Sequence, residues 1–114
     1  MGVLTSIVDR SISGSFSSDL FFNVRNYAFQ FCSGLTSVSF PNATSIGGSA
    51  FNGCRKLTTI YVGTNTSTVC TLSSTSAFTN CTNLTNIYVP ASLVNSYKSA
   101  TNWSNYASKI KATP

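Results

Sequence analysis

The chain has no histidine and only two carboxylate side chains, Asp9 and Asp19. General acid–base catalysis draws most often on histidine, or on two carboxylates held in different environments. Both acids fall in one irregular N-terminal stretch, and no Ser-His-Asp or Cys-His set can be assembled. No glycine-rich phosphate loop is present; Gly47-Gly48 reads as a turn. This inventory argues against an enzyme, and no cofactor is expected. Long apolar runs are missing too. Leu20-Phe21-Phe22 is as long as they get, far below the ~20 residues of a spanning helix, so no membrane insertion is expected. Met1 to Asp9 has neither the basic region nor the apolar core of a secretory signal. Met1 to Ser6 fits the myristoylation pattern, but Leu4 has a place in the repeat described below.

Charge is scarce. Only 8% of residues are charged, with a formal net charge of +5. After Asp19 there is no acid, against Arg25, Arg55, Lys56, Lys98, Lys109 and Lys111. A basic balance raises nucleic acid as a partner. These bases are scattered, however, and phosphate binding needs one dense patch, so no nucleic-acid partner is expected. Ser, Thr and Asn fill most polar positions, as in many extracellular or particle-surface proteins. In such a chain the sequons at Asn42, Asn65, Asn80, Asn83 and Asn102 arise by chance.

A repeat organises the chain. One block reads Leu4-Thr-Ser-Ile7, Leu35-Thr-Ser-Val38, Leu57-Thr-Thr-Ile60 and Leu84-Thr-Asn-Ile87, at spacings of 31, 22 and 27 residues. A second reads Ala28-Phe29-x-x-Cys32, Ala50-Phe51-x-x-Cys54 and Ala77-Phe78-x-x-Cys81, and in each copy a Leu follows the Cys three residues later. Two blocks kept in phase point to a solenoid, each coil contributing one short parallel strand. Alternation puts Val38 and Phe40 inward and Ser37 and Ser39 outward. Strands are expected at Ser37–Phe40, Thr59–Val62 and Asn86–Val89. Val24 and Ile46, each four residues before the repeat Ala, are expected to be equivalent core positions. Gly63–Ser76 and Ser11–Asn23 read as extra loop in the longer copies.

Leu35, Val38, Phe40, Pro41, Thr44, Ile46, Gly47, Ala50, Phe51 and Cys54 follow the order of the BspA-type leucine-rich repeat, and the chain resembles that family from about Leu4 to Pro90. The resemblance implies a right-handed solenoid of about four coils. It also implies an extracellular or cell-surface setting, with adhesion or host-protein binding. The first coil departs from the pattern at Asp9, and the third lacks Ile-Gly. After Pro90 the repeat stops. Leu93, Val94 and Tyr97 share a helical face, and a second short helix is expected from Asn102 with Trp103, Tyr106 and Ile110 inward. Residues 91–111 therefore read as a helical cap, with Trp103 as its anchor. The whole of residues 1–114 reads as a single domain.

Cys32, Cys54 and Cys81 occupy repeat positions and read as buried, reduced thiols. Their spacing does not suit zinc. Adjacent coils lie ~4.8 Å apart, so a Cys32–Cys54 disulfide is open by distance, and the state of Cys70, off the repeat, is open as well. The candidate ligand-binding residues are Ser37, Ser39, Thr59, Tyr61, Asn86 and Tyr88 on the strand face. Tyr61 and Tyr88 follow the repeat Ile on neighbouring coils and so point outward. Exposed cross-strand packing is the simpler reading, and a recognition platform for a protein or a glycan is the functional one. The alternative function is structural assembly through the N-terminal edge, where Leu4, Phe16, Leu20, Phe21 and Phe22 are the candidate contacts of a homodimer.

Overall fold

The computed structural model describes residues 13–18 and 22–114, and the backbone of Val3–Leu4. Among them lie nine short strands: β1 (Val3–Leu4), β2 (Ser13–Ser17), β3 (Asn23–Val24), β4 (Gly34–Phe40), β5 (Ser45–Ile46), β6 (Thr59–Val62), β7 (Thr71–Leu72), β8 (Asn86–Val89) and β9 (Ile110–Ala112). They form two parallel sheets. The face sheet runs β2-β4-β6-β8-β9 and the back sheet β1-β3-β5-β7. Successive coils therefore stack in one direction, as a solenoid requires. The three expected face strands are present in β4, β6 and β8, and the register pairs Val38 with Ile60 and Ile60 with Ile87.

The first coil departs from expectation. Leu4 does not open a face strand: the Val3–Leu4 backbone pairs with Asn23–Val24 in the back sheet. Thr5 to Ile7 and Asp9 lie outside the described residues. The face strand of this coil is β2, inside the stretch expected to be loop, and it pairs Phe16 with Val38. Phe16 thus takes the column that Val38 and Ile60 continue at intervals of 22 residues. Gly14 stands opposite Leu35, and the register shifts between Gly14 and Ser15. Without a Leu to mark it, the coil does not announce itself in the repeat pattern. The Gly63–Ser76 segment is likewise not all loop. It contains β7, where Leu72 pairs with Ile46 in place of the missing Ile-Gly.

Each core column is filled by one residue type per coil. Phe29 and Phe51 stack at 5.2 Å between centroids and 11° between planes, and Phe51 and Phe78 at 5.7 Å and 10°. Val24, Ile46 and Leu72 are buried at the back. Between the sheets, the turn of one coil hangs on the next by backbone bonds. Phe29 N–H donates to Ala50 O at 2.7 Å and Phe51 N–H to Ala77 O at 2.8 Å. This satisfies buried amides that form no part of a sheet. Gly47 is required here: a Cβ would lie 2.4 Å from the Asn26 amide nitrogen.

The C-terminal segment closes the last coil. A 3-10 turn, Ala91–Leu93, leads into α1 (Val94–Ser99), and a second 3-10 segment spans Trp103–Lys109. Tyr97 and Trp103 are fully buried and meet edge to face, 5.2 Å apart at 71°. Ile110 is inward as expected, but from β9, a fifth face strand that the helical reading of residues 91–111 missed.

Candidate functional site

The face sheet presents two outward rows. One is Ser15, Ser37, Thr59, Asn86; the other is Ser17, Ser39, Tyr61, Tyr88, Lys111. All six expected binding residues lie in these rows, because parallel register carries each outward position to its counterpart on the next coil. The inward column between them is apolar, half-buried at Phe16 and buried at Val38, Ile60, Ile87 and Ile110, which holds the strands flat against the core.

Tyr61 and Tyr88 stack with centroids 5.0 Å apart and planes 27° apart. Both are half-buried. Towards the first coil the row drops to the small Ser39 and Ser17, and a hollow of about 380 Å³ opens there, lined by Ser17, Ser18, Ser39 and Pro41. Towards the cap it ends on Lys111, whose ammonium donates to Asn86 Oδ1 at 2.5 Å and to Thr85 O at 3.1 Å. In the other row the Ser37 hydroxyl donates to Ser15 Oγ at 2.9 Å. The face therefore offers ring surface, hydroxyls, amides and one ammonium. Lys111 is a face residue that sequence reasoning missed, since β9 carries no repeat motif.

Of the candidate oligomer contacts, the side chains of Phe16 and Phe22 are among the described residues. Phe16 turns into the first coil and packs on Phe29 and Phe40, at 5.4 and 5.9 Å. Phe22 is exposed at 43%. The Leu4 side chain, Leu20 and Phe21 lie outside the described residues.

The four cysteines are free; Cys32, Cys54 and Cys70 are buried, while Cys81 is only partly covered. The Cys54 thiol donates to Phe29 O at 3.1 Å and the Cys81 thiol to Phe51 O at 3.0 Å. Burial pushes the Cys54 thiol up to about 12, helped by the neighbouring Cys81 and Cys32 thiols, and burial alone does the same for Cys70. These are packing groups rather than nucleophiles. Cys70 is clamped by the cap: its N–H donates to Tyr97 Oη at 2.8 Å, and the Trp103 indole N–H donates to its carbonyl at 2.6 Å. Beside it a mainly apolar groove of about 460 Å³ runs between Val69–Ser73 and Ala100–Trp103. Among the described residues no group of His, Cys, Asp or Glu is placed to hold a metal ion, and no helix is long and apolar enough to cross a membrane.

Comparison with known families matches the chain to one described as a BspA type leucine rich repeat region, in six copies over residues 11–112. That span begins at the coil containing β2 and includes β9. No curated protein and no solved structure gives a match.

Proposed function

Since the chain belongs to the BspA-type leucine-rich-repeat family, we propose that it is a non-catalytic binding module of a surface- or particle-displayed protein, recognising a protein or glycan through its strand face. The observation that carries this reading is the Tyr61–Tyr88 stack on the outer face, with Ser39 and Lys111 in the same row. Stacked tyrosines give a rigid, amphipathic contact area with two polar tips, at a small cost in side-chain entropy. A screen of immobilised extracellular proteins and glycans should find the partner. Tyr61→Ala with Tyr88→Ala should then weaken its binding by more than ~2 kcal/mol, about thirtyfold, and leave the melting temperature within a few degrees. Full-strength binding by the double variant would reject the strand face and direct attention to the Gly63–Ser76 segment and its groove.

A second reading is self-association through the N-terminal edge. What favours it is β2, the outermost face strand, with no described strand pairing its far side.

A further inference from the structure

Among the described residues the exposed large hydrophobics are Phe22, Tyr27 and Phe31, all in the first coil, which carries β2. Tyr27 and Phe31 are 50% and 52% exposed, and both lie on the turn that follows Asn23–Val24. Both also have left-handed backbones, at φ 66° and 63°. That region is unfavourable for bulky side chains. The neighbouring coils answer the same geometric demand with small residues. Tyr27 corresponds to Ser49 at φ 56°, and Phe31 to Gly53 and Asn80 at φ 82° and 63°. The correspondence is fixed by bonding, since Phe31 N–H donates to Asn52 O and Gly53 N–H to Thr79 O. The fold therefore asks for Ser, Gly or Asn at these places, and the first coil carries aromatics at a conformational cost. Strain of this kind concentrates where a function requires the side chain.

The Phe31 ring is supported. A Cβ on Gly53 would lie 2.5 Å from Phe31 Cδ1, so the Phe31 ring rests in the space that glycine leaves. The exposed bases Arg55 and Lys56 leave the same turn two and three residues after Gly53, and exposed Arg25 precedes Tyr27 by two. The corresponding residues of the other coils, Ser33-Gly34 and Thr82-Asn83, are uncharged. No Asp or Glu occurs among the described residues. Among the described residues the turn strip thus joins aromatic faces to cations alone. It offers no strand edge to a peptide here, because the Tyr27 and Phe31 amides already donate to Gly48 O and Asn52 O.

We propose that Tyr27 and Phe31, with Arg25, Arg55 and Lys56, form a binding surface for an acidic polysaccharide, separate from the strand face. The rings stack on the C–H faces of pyranose units, and the guanidinium and ammonium groups pair with carboxylates or sulfates. Polygalacturonate is the probe, with neutral dextran as control. The whole chain should bind polygalacturonate, less tightly as salt rises, and should not bind dextran. Tyr27→Ser with Phe31→Asn installs the residues of the other coils. It should lower affinity at least tenfold and leave the melting temperature unchanged or raised. Tyr27→Ser alone, which keeps the Phe31 ring over Gly53, should give a smaller loss. Arg55→Thr with Lys56→Asn should also lose at least tenfold, and Tyr61→Ala with Tyr88→Ala should bind as well as the parent. The proposal is overturned if the ring variants bind at full strength, which would mean unspecific charge attraction. It is also overturned if the double ring variant melts well below the parent, which would make the rings structural. Equal binding to dextran, or binding to anionic lipid vesicles or poly-glutamate in place of polygalacturonate, would reject the polysaccharide as well.

Discussion

Cys54 shows how a residue's place in the column sets its chemistry. Its thiol faces a carbonyl of the preceding coil and sits between Cys32 and Cys81, out of water. The repeat pattern was enough to expect buried, reduced thiols at Cys32 and Cys54, because a small apolar residue recurs there in phase. It did not show that Cys81 would be only partly covered, since that depends on how the cap meets the last coil. Nor did it reveal the burial of Cys70, whose partners Tyr97 and Trp103 lie far along the chain. These groups make stability sensitive to alkali. Burial raises Cys54, Cys70 and Cys81 from 9.0 to about 12, and Tyr97 from 10.0 to about 12. Between those values the unfolded chain has released protons that the folded chain still holds, so stability falls as pH rises. Below about 9 the contribution is fully present, and with no histidine in the chain no side chain has an ordinary pKa near neutrality. Melting temperature should therefore be flat between about pH 6 and 8 and drop steadily above about 9, with thiol labelling of the native protein slow at neutral pH. A melting temperature that holds to about pH 11 would contradict this assignment.

Two elements escaped the repeat reading for opposite reasons. β2 was hidden because Gly14 stands where the other coils have Leu, and because Leu4-Thr-Ser-Ile7 imitates the block from another phase. The spacing of 22 from Phe16 to Val38 carried the true register. β9 was hidden because a three-residue strand has no periodicity of its own; it forms only because β8 offers an edge beside the cap. The helical part of the cap was legible, since Leu93, Val94 and Tyr97 and then Trp103 and Tyr106 mark inward faces. Its role as a cap anchored at Trp103 was legible too; the groups that Trp103 meets were not. Trp103 fills the end of the phenylalanine column, 6.1 Å from Phe78, and ties the Cys70 carbonyl. Trp103→Ala should therefore combine a large cavity with an unsatisfied buried carbonyl, at a cost of about 3–5 kcal/mol. Chemical denaturation would read this directly. A loss below about 1 kcal/mol would mean that the cap is not anchored at Trp103.

The molecule as a whole is asymmetric. At one end Tyr97 and Trp103 seal the core, and β9 blunts the face sheet with three residues that include a lysine. At the other, β2 is five residues long, and no described strand pairs its outer edge. Its side chains are Ser, Gly and one half-buried Phe, so it has neither the charge nor the proline that commonly protects an open edge. Phe16 lies over Phe29 and Phe40 from this strand, so the edge also borders the core. A two-fold axis beside β2 would set it antiparallel to its copy and join the two face sheets, the commonest closed symmetry for a pair of like chains. Sedimentation in the micromolar range should then give about twice the chain mass of 12.1 kDa. Ser15→Lys places a charge on the strand itself and should return the protein to a monomer with its circular dichroism unchanged. A parent chain that sediments as a monomer throughout that range would eliminate the dimer and leave the strand face and the turn strip as the surfaces through which the module makes its contacts.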